Sequence, residues 1–221
     1  MVIAKKKESK KKVDDQLIIT LYMEQILEDG KHPNSIYAFC KKNNITESDF
    51  YIFFGSFDSL KQEIWNRFLE NTIATLENDA AFTSYSIKNK LLSLYFTLFE
   101  VLTLNRSYVL YALKDNKEGL RNLSQLKQMR NKFKTFVQEN IAKKDVQSSK
   151  LSKISQPVYS EGSWIQFLFI LKFWLEDNSK GFEKTDIIIE KSVNTVVDLL
   201  DTKPLENLID LGKFLWNERK M

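Results

Sequence analysis

Few side chains in this chain of 221 residues could carry out covalent or acid–base chemistry. The only histidine, His32, stands in a Gly-Lys-His-Pro turn, and the only cysteine is Cys40. One of each is too few for a Cys/His zinc site, and a Ser–His–acid triad would need a nucleophile from a remote part of the chain. A single cysteine also excludes an internal disulfide framework and suits a reducing compartment. Cys40 reads as a small buried hydrophobe. The glycines stand isolated at 30, 55, 119, 162, 181 and 212, so no glycine loop cradles a phosphate. Glu24 with Glu28 and Glu183 with Asp186 have helical spacing, which reads most simply as solvated faces. No catalytic residue, metal site or cofactor is expected, and the chain does not read as an enzyme.

Charge is more informative. Residues 1–12 hold Lys5, Lys6, Lys7, Lys10, Lys11 and Lys12 against Glu8, a net of +5, whereas residues 13–60 hold three lysines against eight carboxylates, a net of −5. A basic arm precedes an acidic segment within a chain of net charge +4. Such an arm is either a solvated tail or a nucleic-acid contact.

Helices must position these groups. Hydrophobic residues make up 43% of the chain, too much for disorder, while Gly 6 and Pro 3 are too few for a turn-rich β fold. An all-α protein is expected. The apolar runs Leu91–Leu104 and Trp164–Leu175 are interrupted by polar groups and fall short of the roughly 18–20 residues of a membrane span. No apolar stretch follows the basic N-terminus as in a secretory leader, so a cytoplasmic location is expected. Apolar residues from Leu17 to Leu27 recur at three- and four-residue steps, giving a helix from Asp14 to Asp29 that Gly30 and Pro33 end. Ser35 then caps a short helix to about Lys42, Asn43-Asn44 makes a tight turn, and Thr46 caps a second short helix that Gly55 stops. A long helix follows from Ser56 to about Asn78. Further helices are expected near 86–104, 106–115, 121–142, 158–177, 183–201 and 204–218, with a loop at Lys143–Pro157. This gives a basic arm at 1–12, a helix-turn-helix domain at 13–60 and a helical ligand-binding and dimerisation domain at 61–221.

Leu91–Leu104 and Trp164–Leu175 are apolar around nearly their whole circumference, which implies burial on all sides. One such helix can be central to its own bundle. A second, near the C-terminus and followed by an amphipathic partner, more simply buries its outer face against another chain. A homodimer through a four-helix bundle of 158–177 and 183–201 from both copies is expected. Its contact residues would be Phe169, Phe173, Ile189, Val193, Val196, Val197 and Leu200. The alternative is a monomer whose own helices cover that face.

The run from Ser35 to Phe54 resembles the helix-turn-helix of the TetR family of transcriptional regulators, roughly T-V-R-D-I-A-x-x-A-G-V-S-x-x-T-L-Y-x-H-F. Ser35 falls on the capping Thr, Ile36 on the Val, Phe39 on the Ile and Cys40 on the small residue where the helices approach. Asn44 takes the turn Gly, Ile45 the buried Val and Thr46 the second cap, while Phe50, Tyr51 and Phe54 match the apolar-Tyr-x-x-Phe end. Ser56 to Leu60 matches the start of the long fourth helix. The matched positions are mostly core and cap positions. The resemblance implies an N-terminal three-helix domain joined by a long helix to a C-terminal bundle, acting as a homodimer on double-stranded operator DNA and released by a small apolar effector. On it, Ser35, Lys41, Lys42, Thr46 and Tyr51 would contact phosphates, and Glu47, Ser48 and Asp49 would face bases. Lys10, Lys11 and Lys12 would lie along the backbone or minor groove. Tyr95, Phe96, Phe99, Tyr108, Tyr111, Phe133, Trp164 and Phe167 are the aromatics for an effector pocket, and each also reads as ordinary core.

The departures concern DNA. Tyr37 stands where the family often has Arg, Ile52 and Phe53 replace commonly polar positions, and no Lys or Arg follows Lys42 before Lys61. An acidic module is repelled by phosphates, although Glu and Asp can accept from cytosine N4. The alternative reading is a TetR-like protein without DNA binding that holds a lipid or other hydrophobic ligand.

Overall fold

A computed structural model describes residues 13–114, 119–142 and 156–200. The arm with Lys10, Lys11 and Lys12, most of the Lys143–Pro157 segment and the helix expected near 204–218 lie outside them. Among the described residues the regular structure is helical, with no strand: α1 (Asp15–Asp29), α2 (Ile36–Lys42), α3 (Glu47–Phe53), α4 (Phe57–Asn78), α5 (Ile87–Leu104), α6 (Arg106–Lys114), α7 (Lys127–Phe136), α8 (Gln156–Glu176) and α9 (Glu183–Leu200). The Asp14 carboxylate starts α1 by accepting from the Leu17 N–H at 2.8 Å. Gly30 ends it at φ 62°, a left-handed conformation that glycine adopts without strain. Ser86 caps α5 in the same way as Asp14 caps α1, accepting from the Asn89 N–H.

The single helix expected over 121–142 is instead three pieces: a 3₁₀ segment (Gly119–Leu126), α7, and a π turn (Val137–Ile141). Leu120, Leu123 and Leu126 recur every third residue, the period of a 3₁₀ helix rather than an α-helix. Gln125 anchors the segment by donating to the Ala112 carbonyl at 3.1 Å.

The chain divides into two compact units. The first comprises the described residues up to Ile64 together with Ser107–Gln125, and the second comprises Trp65–Arg106 and the described residues from Leu126 onward. In the first, Ile18, Tyr22, Ile26, Phe39, Phe50 and Leu60 are fully buried. The Phe57 ring lies 5.3 Å from Tyr22, 5.9 Å from Phe39 and 5.7 Å from Phe50, so aromatic contacts tie α1, α2 and α3 to the start of α4. Tyr108 and Val109 of α6 are buried in this unit too.

In the second unit α5 packs on α9, and α8 packs on α7 and α9. Leu91, Leu94, Leu98 and Leu102 line the buried side of α5. α8 turns Trp164, Phe167, Ile170, Leu171 and Trp174 inward. Burial on all sides holds for neither helix: in α5 Leu104 is 81% exposed and Leu92, Phe96 and Val101 are half-buried, and in α8 Val158, Ile165 and Phe169 are 53%, 60% and 56% exposed.

Candidate nucleic-acid interface and ligand cleft

The helix-turn-helix is built from its caps. The Ser35 hydroxyl accepts from the Ala38 N–H at 3.1 Å and starts α2. Asn44, at φ 56°, supplies the left-handed residue that turns the chain into α3. Thr46 and Asp49 form a reciprocal capping box. The Asp49 N–H donates to Thr46 Oγ1 at 3.1 Å, while the Thr46 N–H and hydroxyl donate to Asp49 Oδ2 at 3.0 and 2.6 Å. Phe39 and Cys40 are buried where the helices approach. Burial, and then the Glu47 and Asp49 carboxylates, push the Cys40 thiol up.

The outward face carries less positive charge than its residue count indicates. Lys42 Nζ donates to both oxygens of Asp29, at 2.7 and 2.8 Å. Gln25 donates to the same carboxylate, and Asn43 donates to Gln25 at 2.8 Å. The Lys42 ammonium holds the Asp29 carboxyl below its usual range, with burial opposing. Lys41 is exposed and lies 5.9 Å over the Tyr37 ring. On α3 the exposed residues are Glu47, Ser48, Tyr51, Ile52 and Phe53, with Ile52 72% exposed. Asp49 is half-buried, its carboxylate engaged with Thr46. Of the expected phosphate and base contacts, Ser35, Lys41, Lys42, Thr46, Glu47, Ser48 and Tyr51 are exposed, but two charged groups among those expected, Lys42 and Asp49, are already engaged within the chain. Asp29, thirteen residues before Lys42, was not visible as its partner from spacing alone.

The aromatics expected around an effector fall into both units. Tyr108 and Tyr111 belong to the first. There, the Tyr111 ring meets His32 edge-on at 5.1 Å, and His32 Nδ1 lies 3.3 Å from the Tyr22 hydroxyl. Burial raises the Tyr22 and Tyr108 phenols. In the second unit Tyr95, Phe99, Phe133, Trp164 and Phe167 form one packed aromatic cluster, with Trp164 and Phe167 5.0 Å apart and Phe133 within 5.9 Å of both. The buried Tyr95 hydroxyl donates to the Ser163 carbonyl at 2.8 Å, and burial raises it far above its ordinary range. Phe96 sits apart on the half-buried side of α5 and borders two clefts, one of about 540 Å³ with Leu76, Tyr85 and Leu92, the other of about 320 Å³ with Phe99, Trp174 and Phe182.

Beside the smaller cleft, Asp177 organises the turn from α8 into α9. Its carboxylate accepts from the N–H and hydroxyl of both Ser179 and Thr185. Burial works against its ionisation, but these donors outweigh burial and hold it at about 2. Arg106 donates to the carbonyls of Trp174 and Asp177, both at 3.0 Å. Its guanidinium lies 4.4 Å from the ring centroids of Trp174 and Phe182. Among the described residues no group of three His, Cys, Asp or Glu side chains is placed to hold a metal ion, and no helix is long and apolar enough to cross a membrane.

Residues 90–215 match the tetracyclin repressor-like C-terminal domain, more than half of the chain. The chain belongs to the TetR family. The crystal structure of a protein of Syntrophomonas wolfei, assigned to the TetR-family transcriptional regulators, has the same fold with a TM-score of 0.65 at 16% identity, over 82% of this chain and 93% of that one. No curated protein of similar sequence was found. The all-α architecture of an N-terminal helix-turn-helix and a C-terminal bundle is thus that of a TetR-family transcriptional regulator.

Of the residues expected at a subunit contact in this TetR-family chain, Phe169 faces outward and Phe173, Val196 and Val197 are half-buried. Ile189 and Val193 are completely buried within the protomer, on the helix packed against α5, and present no surface to a partner. The Leu200 side chain lies outside the described ones. Val158 and Ile165, which periodicity did not single out, extend the Phe169 face at seven- and four-residue steps, and Gly162 lies between them.

Proposed function

We propose that the protein is a ligand-responsive transcriptional regulator, a homodimer that binds operator DNA through α2 and α3 and releases it when a small apolar molecule occupies the C-terminal unit. The observation that carries this reading is the intact helix-turn-helix: the Ser35 cap, the left-handed Asn44 and the Thr46–Asp49 capping box leave Glu47, Ser48 and Tyr51 on one exposed surface. Glu47 and Ser48 are the base-facing groups, since Asp49 is engaged in the cap. Ser35, Thr46, Tyr51 and Lys41 supply neutral or cationic phosphate contacts, and the Lys10–Lys12 arm supplies the rest. Dimerisation is supported by the outward stripe of Val158, Ile165 and Phe169. Gly162 lies within that stripe, and a Cβ there would meet nothing inside the chain. A mid-helix glycine costs roughly 0.5–1 kcal/mol, and a helix approaching from a second copy accounts for its presence. Catalysis has no place in this reading.

The test is a mobility-shift assay on genomic fragments at low salt, repeated across a salt series. A fragment-selective shift that weakens steeply with salt supports the regulator. The surface of α3 specifically favours a second reading: it carries Glu47, Ile52 and Phe53 and no cation, and Lys42 is committed to Asp29. This points to a TetR-like protein that has given up DNA and holds a lipid. Absence of any shift at low salt, with lipid found in the purified protein by mass spectrometry, would establish it in place of the regulator.

A further inference from the structure

The cleft of about 320 Å³ has aromatic walls, from Phe96 and Phe99 on α5, Trp174 on α8 and Phe182 in the following turn. Its rim carries two carboxylates from different helices, Glu100 of α5 and Asp186 of α9. We propose that this cleft binds a small organic cation with an apolar body, such as a quaternary ammonium or a bulky protonated amine.

Glu100 and Asp186 have neither an ion pair nor a hydrogen bond within the described chain. Arg106 does not neutralise them: its hydrogen bonds go to the carbonyls of Trp174 and Asp177, and its guanidinium lies 4.4 Å from the centroids of two rings. Arg106 instead shows how this corner treats a cation, with Trp174 and Phe182 already receiving one at 4.4 Å. The Asp186 carboxyl is raised chiefly by burial and then by the neighbouring Glu190 and Asp177 carboxylates. A neutral apolar ligand would cover these carboxylates without pairing them, which is unfavourable, and an anion would be repelled. Calcium and magnesium take about six or more oxygen ligands, and this cleft offers two carboxylates among aromatic rings, with no third carboxylate, His or Cys grouped with them among the described residues. An organic cation satisfies both features, its charge at the rim and its body against the rings.

This inference builds on the effector-responsive reading, since the ligand would sit against the start of α9, but binding is measured without DNA and stands or falls separately. The full-length protein is titrated by calorimetry with phenyltrimethylammonium and with tert-butylbenzene, which has nearly the same shape and no charge. Saturable binding of the cation is expected, at least about tenfold tighter than that of the hydrocarbon, weakening as salt is raised. The double variant E100Q/D186N, altered only at exposed positions, should keep its thermal unfolding midpoint and lose that preference about tenfold. Equal binding of both probes, no saturable binding of the cation, or full cation affinity in the folded double variant would each overturn the proposal. Should E100Q/D186N fail to fold, the salt series and the charged–uncharged comparison on the parent protein decide alone.

Discussion

Replacing Phe169 by glutamate should turn the protein into a folded monomer. Phe169 is 56% exposed in the isolated chain. A phenylalanine side chain buries about 150–250 Å², so roughly 100 Å² of it awaits cover. Two-fold symmetry repeats every contact, and about 200 Å² at about 25 cal/mol/Å² amounts to about 5 kcal/mol for this one residue. The substitution removes that term and places a carboxylate from each copy in the contact, where charge without a partner is strongly unfavourable. A loss of about 5 kcal/mol is more than a thousandfold in dissociation constant. Sedimentation velocity at micromolar protein should then give a particle of 26.0 kDa for F169E and twice that for the parent. Far-ultraviolet circular dichroism should stay helical, because the side chain contributes little inside the protomer. A variant still at twice 26.0 kDa would refute the assignment of this face, and a parent of 26.0 kDa would refute the dimer itself.

Ile189→Ala should do the opposite: a fully buried side chain is lost, destabilising the fold by about 2–5 kcal/mol in urea titrations without altering the subunit count of the folded protein. Asp177→Ala removes the acceptor of four hydrogen bonds and strands the buried Thr185 hydroxyl, which should cost about 2–4 kcal/mol in the urea midpoint at neutral pH. Because the folded carboxyl titrates at about 2, below its usual 3.8, its stabilisation is complete above the unfolded value and disappears as pH falls through the folded one. The parent's steep loss of stability between those two pH values should therefore be shallower in the variant. Asp29→Asn releases Lys42 toward phosphate, so on a DNA fragment that shifts, the salt dependence measured by anisotropy should steepen by about 0.9 per half-site. An unchanged slope would place Lys42 away from the phosphates.

The first unit was legible because its signals are local. Ser35, Asn44 and Thr46 each act within about four residues, and the structure returns a cap, a φ of 56° and a capping box at those positions. The C-terminal bundle was legible as helices but not in its partners. Ile189 and Val193 form the same stripe whether α5 or a second copy covers them, since periodicity states that residues share a face and not what lies against it. The three-residue leucine spacing before α7 was present in the sequence, but the apolar residues around it also fit a 3.6-residue period. Lys42 with Asp29, and Arg106 with Trp174 and Phe182, join residues far apart in the chain, and no local pattern carries them.

These two kinds of signal explain how a TetR fold can tolerate different residues on the outward surface of its helix-turn-helix. The residues that shape the helix-turn-helix are Phe39, Cys40 and Phe50 in the core and Ser35, Asn44 and Thr46 at the turns. Tyr37, Glu47, Tyr51 and Ile52 meet solvent without capping a helix. These four take no part in the core or the caps, so replacing them leaves the fold nearly untouched, whereas the exposed caps Ser35 and Thr46 belong to both the shape and the surface. Asp49 is half-buried in the cap, its carboxylate held by Thr46, where a negative charge beside the start of a helix is favourable whether or not DNA is present. An acidic residue there strengthens the fold while weakening attraction for phosphate. On the proposed regulator reading, fold membership and operator affinity are therefore separate quantities, and the second would depend on how many cations reach phosphate: Lys41, the lysines before residue 13, and Lys42 only on leaving Asp29.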